Sequence, residues 1–354
     1  MTEKLARFWL SLGDLPSSVP AKILANYQTA LAFYEAREQA GPVLGAAWKR
    51  LLPWQDLQLL QEKLEHLQSL GIVFLTPEDE NWPWMLNHLE DPPIGLYCLG
   101  DTQLLRDPKL FAMVGTRHCT VYGQRMARAI ARDMTSAGAV ILSGFAVGID
   151  SACHEGCLEA GGKTVAFMGC GLDVDYPSGS GAMKRRIADS GGLLVTEHPM
   201  KSKPVAGHFP QRNRMIAALA KGLMLIEGNT RSGGMISAHL AMERGVEVFA
   251  LPGSVETAQS AGPHLLIREG ARLAVSAQEI LMDLGWQVPE KAAPKALDGP
   301  VAQLYAFIEQ EPLSFDQLTH LTGWPADVLT SHLSMMEIDG LIVKSPGRVY
   351  SKAL

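Results

Sequence analysis

The chain has 354 residues, 47% of them hydrophobic and 19% charged, which supplies a large core and excludes a disordered polyelectrolyte. Thirty-one Lys and Arg against 37 Asp and Glu give a formal net charge of −6. A uniformly basic nucleic-acid coat is thereby excluded, and a local cationic patch is not.

Residues 1–70 read as short helices, with apolar residues at helical spacing in Leu5-Phe8-Trp9-Leu12, Ile23-Leu24-Tyr27-Leu31-Tyr34 and Leu57-Leu60-Leu64-Leu67. Pro16, Pro20, Gly41-Pro42 and Pro53 punctuate them. No apolar signal core follows Met1, and no run approaches ~18 apolar residues, so a soluble cytoplasmic protein without a membrane span is expected. Residues 71–107, rich in Trp and Pro, are expected to form an irregular bridge.

From 108 to 285 the rhythm changes. The short apolar runs 110–114, 139–142, 164–168, 193–195, 223–226 and 246–251 alternate with helix-like segments at 122–137, 148–160, 181–190, 212–220 and 232–244. Continuous apolar strands between helices predict a parallel sheet covered on both faces, an α/β, doubly wound, Rossmann-like domain. Residues 286–297 read as a linker. Residues 298–354 read as three helices and a terminal two-stranded ribbon, a winged-helix-like pattern. Its third helix, 326–339, has no Lys or Arg. A contact with protein therefore suits this module better than a major groove, where cations meet phosphates.

Charge follows these divisions. Residues 109–283 hold 18 basic and 15 acidic residues, the remainder 13 and 22. Lys184, Arg185, Arg186, Lys201, Lys203, Arg212 and Arg214 lie within a single 31-residue stretch. The five cysteines form no regular framework, which argues for a reducing compartment. Cys153-His154-x-x-Cys157 lacks the further ligands of a zinc site and reads as helix packing, so no metal or cofactor is expected.

Ligands of open α/β sheets gather beyond the carboxyl ends of the strands. Four glycine-rich turns are expected there, 115–117, 143–148, 169–171 and 228–234, and Arg117 and Arg231 lie in two of them. Glycine lets backbone N–H groups approach an anion closely. Neither Gly-x-Gly-x-x-Gly after the first strand of this domain nor a P-loop sequence is present. Phe209-Pro-Gln-Arg212-Asn213-Arg214 instead combines an aromatic face with two guanidiniums, which suits an extended single strand better than a small nucleotide. These arginines equally fit a helix start at which they are solvated or paired with Glu197. Asp150 and His154 stand one helical turn apart and read as a structural pair. No nucleophile elbow is present, and no enzyme is expected.

Val114-Gly-Thr-Arg117, Ser143-Gly-Phe-Ala-Val-Gly-Ile-Asp150, Tyr176-Pro177, Phe209-Pro-Gln-Arg-Asn-Arg214, Ser232-Gly-Gly and Phe249-Ala-Leu-Pro-Gly253 resemble, in order and spacing, the DNA processing protein A (DprA, or Smf) family. The resemblance implies a single-stranded DNA-binding mediator of natural transformation. Such a protein protects incoming strands, helps load the RecA recombinase and forms a homodimer through its Rossmann-like domain. It implies DNA contacts at Arg117, Ser143, Gly144, Phe209, Arg212, Asn213 and Arg214. Local charge adds Lys201 and Lys203, and the last glycine-rich turn adds Arg231. Val147 stands where the family usually has arginine, and Ser180 where asparagine is common. The competing enzyme reading, a nucleotide-binding hydrolase of the nucleoside-monophosphate phosphoribohydrolase type, lacks the Pro-Gly-Gly-x-Gly-Thr-x-x-Glu signature.

Overall fold

A computed structural model describes residues 1–288, 299–339, 341–345 and 347–352; residues 289–297 of the expected linker lie outside them. The chain divides into two compact units after Val288. The first is built on a nine-stranded sheet in the order β1-β2-β6-β5-β4-β3-β7-β8-β9. Its strands are β1 Ile72–Leu75, β2 Leu96–Gly100, β3 Leu110–Val114, β4 Val140–Ser143, β5 Thr164–Phe167, β6 Leu193–Thr196, β7 Gly222–Leu225, β8 Glu247–Ala250 and β9 Arg272–Leu273.

Strands β3 to β7 are buried along their whole length, because helices cover both faces and no position alternates toward water. The strands from β6 across to β9 are parallel, β2 pairs antiparallel with β6, and β1 closes the edge antiparallel to β2. The stretch expected to be irregular thus supplies two strands. Its apolar runs are short and bounded by Pro and Gly; β2 pairs with β6, about a hundred residues downstream and beyond the reach of local pattern, and β1 pairs with β2.

The helical N-terminus packs on the same sheet. Helix Glu3–Leu12 sets Phe8 against Phe74, centroids 5.2 Å apart. Arg7 donates to the Ile94 carbonyl at 3.2 Å, and Ser11 shares a 2.6 Å hydrogen bond with Tyr97. Farther along the same face, helices Val121–Ser136 and Ile149–Glu159 approach so closely that a Cβ at Gly156 would stand 2.1 Å from the Arg128 carbonyl oxygen. Gly156→Ala is expected to force these helices apart at a cost of about 2–3 kcal/mol, read as a lower denaturant midpoint with an unchanged slope.

The second unit, described by itself, has helices Gly299–Gln310, Phe315–Thr322 and Ala326–Ile338. Strand Val349–Lys352 lies between Leu313–Ser314 and Ile342–Ser345, a winged helix. Helix Phe315–Thr322 opens on a full capping box, Ser314 with Gln317. Helix Ala326–Ile338 leaves Met335 and Ile338 exposed. No helix among the described residues is long and apolar enough to cross a membrane.

Candidate nucleic-acid interface

Strand order reverses at β3 and β7: β4, β5 and β6 run off to one side, β8 and β9 to the other. The loops leaving these neighbours must part in opposite directions and open a crevice between them. It measures about 290 Å³, and its floor and walls are Gly115, Thr116 and Arg117 after β3, Gly144 after β4, and Ser232 and Gly233 after β7. Helix His208–Leu219 contributes Phe209, Arg212 and Asn213.

At the mouth, the exposed Arg117 guanidinium lies 4.7 Å from the Phe209 ring centroid and donates to the Tyr176 hydroxyl at 3.4 Å. Tyr176 and Phe209 are themselves 5.5 Å apart and tilted. Cation and rings form one cluster at the mouth, the pairing of charge and aromatic surface that base and phosphate recognition uses. Tyr176 was absent from the expected contacts, and the Tyr-Pro pair was its signal.

Deeper in, Arg212 is 4% exposed. Its Nη1 donates to the Phe167 carbonyl at 3.1 Å, and its Nε has no partner. Burial pulls its pKa down to about 10 against the attraction of Asp150, so it stays charged at neutral pH. Burial conversely raises the Asp150 carboxyl, opposed by Arg212. Gly144 leaves room for this guanidinium: a Cβ would lie 1.7 Å from Arg212 Nη1. Asn213 donates to the Gly233 carbonyl at 3.1 Å and ties the helix to the turn after β7.

The remaining expected contacts fall elsewhere. Ser143 is fully buried and donates to the Met113 carbonyl at 2.7 Å, which bridges β4 to β3. Arg214 points away from the crevice, to Glu197 at 2.5 Å and Asp91 at 3.2 Å; for this arginine the pairing with Glu197 is the one realised. Two residues along a helix are about 200° of rotation, so Arg212 and Arg214 face opposite sides. Arg231, Lys201 and Lys203 are exposed on loops at the same carboxyl edge, outside the crevice lining. Val147, 47% exposed, contributes no charge. Ser180 leaves its turn intact, since Asp175 accepts from the backbone N–H groups of Gly179 and Ser180 at 2.9 and 3.0 Å.

His154 hydrogen-bonds to Thr164 rather than Asp150. The Thr164 hydroxyl donates to the Ile141 carbonyl at 2.7 Å, so it accepts from His154 Nδ1 at 2.8 Å and fixes the Nδ1–H tautomer. Nε2 is buried without a partner, and burial, aided by Arg212, depresses the pKa to about 3. The unfolded chain, titrating near 6.5, then binds the proton more strongly, and stability falls as pH drops below that value. A loss of about 2 kcal/mol between pH 7 and pH 5 is expected; urea melts at both pH values check it, with His154→Asn flattening the dependence.

Among the described residues, Asp14, His198 and His208 bring metal-ligand atoms within 4.8 Å of one another. The two imidazoles stack at 3.7 Å and 15°, so their lone pairs run side by side instead of converging on an ion. Asp14 accepts from Ser202 at 2.6 Å and stands 2.9 Å from His198 Nδ1. The cluster is a polar strut from the helical N-terminus to the loop after β6.

An open, mainly parallel α/β sheet with an arginine- and aromatic-lined crevice at its switch point, in a chain that also carries a winged helix, defines a Rossmann-type protein with an appended winged helix. Residues 73–285 match the family of DNA recombination-mediator protein A, and residues 288–348 match the DprA winged helix domain. The chain belongs to this family, the DprA or Smf proteins. Protein Smf of Synechocystis is 31% identical over 328 residues, 82% of either chain. DNA processing protein DprA of Streptococcus pneumoniae is 40% identical over 224 residues, 63% of this chain and 77% of that one. Its crystal structure superposes with a TM-score of 0.66 at 32% identity, covering 81% of this chain and 99% of that chain. The Helicobacter pylori protein, whose structure was described for its single-stranded DNA binding mode, matches with a TM-score of 0.54 at 32% identity over 61% of this chain and 97% of that one.

Proposed function

We propose that this protein is a single-stranded DNA-binding recombination mediator and not an enzyme. The observation that carries the reading is the Arg117–Phe209–Tyr176 cluster at the mouth of a crevice that holds a buried, charged Arg212. A strand lies along the carboxyl edge, one base on the Phe209 face and its phosphates on Arg117, Arg231, Lys201 and Lys203. The relative from Helicobacter pylori supports the choice of ligand. Membership of the family supports the wider role: a cytoplasmic homodimer, joined through the Rossmann-like unit, that protects incoming strands during natural transformation and helps load RecA.

Fluorescence anisotropy of a labelled oligonucleotide across a salt titration tests it. Four neutralised phosphates predict a log–log salt slope of about −3 for a single strand, with weaker binding to duplex. Arg231→Ala is expected to flatten that slope by about 0.7 and leave the melting temperature unchanged. A salt-independent affinity, or none at low salt, defeats the proposal.

A further inference from the structure

The opposite edge of the sheet carries an aromatic platform that the crevice does not use. Trp84, in the turn Trp84–His88, is 62% exposed, with its ring edge-on to His88 at 5.3 Å. A large aromatic left this open is unusual on a folded surface. Beside it lies a depression of about 300 Å³ walled by Met85, Leu105 and Pro108 and rimmed by Arg106 and Lys221. Pro108 and Lys221 precede β3 and β7, so the depression sits at the amino ends of the strands whose carboxyl ends frame the crevice.

The cations here are uncommitted. Arg106 donates to the Glu80 carbonyl at 2.8 Å, and Arg244, beside the platform, to the His88 carbonyl at 3.3 Å. Backbone carbonyls orient both guanidiniums without neutralising them. Lys221 is exposed and has no carboxylate partner among the described residues. Asp107 is the carboxylate in the rim, and it accepts from the Lys109 backbone N–H at 2.7 Å. Two unneutralised cations, Arg106 and Lys221, in one depression with an open indole, in a chain of net charge −6, match a ligand with alternating anionic and aromatic groups.

We infer that this depression is a second contact for single-stranded nucleic acid, in which a base stacks on Trp84 and phosphates meet Lys221 and Arg106. It is engaged by a strand that already occupies the crevice and runs on around the unit. The inference rests on the reading that the crevice binds single strands.

Two oligonucleotide lengths separate the sites: about 8 nucleotides, enough for one contact, and about 40, enough for both. Trp84→Ala is expected to weaken binding of the long strand about tenfold and leave the short strand unchanged. Lys221→Ala acts in the same direction, and Trp84→Phe restores most of the affinity. A long strand carrying 5-iodouracil is expected to crosslink, on irradiation, to the peptide that contains Trp84. If the Trp84→Ala, Lys221→Ala double variant binds both lengths like wild type, the inference is overturned and the crevice reading stands, which leaves the depression to a protein ligand. If wild type binds neither length, both readings fall together.

Discussion

Replacing Arg117 and Phe209 together with alanine is expected to weaken single-strand binding by about 100-fold or more. Stacking a base on an aromatic ring contributes about 1–3 kcal/mol, and a well-placed arginine in a binding centre a similar amount. The two side chains touch, the guanidinium 4.7 Å from the ring centroid, so each single variant also loosens the other. The single losses should then sum to more than the double loss, and a double-mutant cycle should return a coupling of about 0.5–2 kcal/mol. Both lie at the crevice mouth, Arg117 exposed and Phe209 half-buried, so the melting temperature should move little. Arg212→Ala is a poorer probe: it leaves the Phe167 carbonyl without its donor and removes the positive charge that opposes the raised pKa of Asp150, which mixes folding with binding. Wild-type affinity in the Arg117, Phe209 double variant would remove the crevice from the mechanism.

Trp9→Ala is expected to cost about 3–5 kcal/mol, the range for truncating a buried large aromatic. Trp9 is fully buried and is the hub of the helical N-terminus, with Tyr34 at 5.0 Å, Phe33 at 5.8 Å and Trp48 at 6.3 Å. Its Nε1 has no acceptor, so truncation orphans no other polar group, and the whole loss is packing. Through Phe8, Arg7 and Ser11 the same helix grips β1, β2 and the segment before β2. The loss should therefore reach the sheet and lower a single transition by roughly 10 °C. A small early transition of the N-terminal helices alone, with the main melt unmoved, would show that the two parts fold separately.

The winged helix poses a question of its own. Its third helix, Ala326–Ile338, lacks basic residues and exposes Met335 and Ile338, where a groove-reading helix would carry cations.

Much of the architecture was legible because it rests on local pattern. Each apolar run from 110–114 to 246–251 became a strand within a residue or two, since a strand covered on both faces keeps little polar register. The glycine-rich turns fell at the carboxyl edge because a parallel sheet places all such turns on one side. Arg117 and Phe209 were found for the same reason: each belongs to a short motif whose position relative to a strand or helix start decides where it points.

What the sequence did not reveal depended on distant partners. The short run of β2 is a strand because β6, about a hundred residues on, offers a free edge to pair with, and β1 then pairs with β2. Arg212 and Arg214 are the same residue type two positions apart. One lines the crevice and the other is held by Asp91 and Glu197, because the turn of the helix separates them and two remote carboxylates claim the second. Ser143 lies in a motif turn, yet its hydroxyl serves the neighbouring strand. Residue type and spacing, which act over a few positions, determined the fold class and the edge at which the crevice opens. Which side chains line that crevice was decided by desolvation and by charges brought together from far along the chain, and these exist only once the sheet has formed.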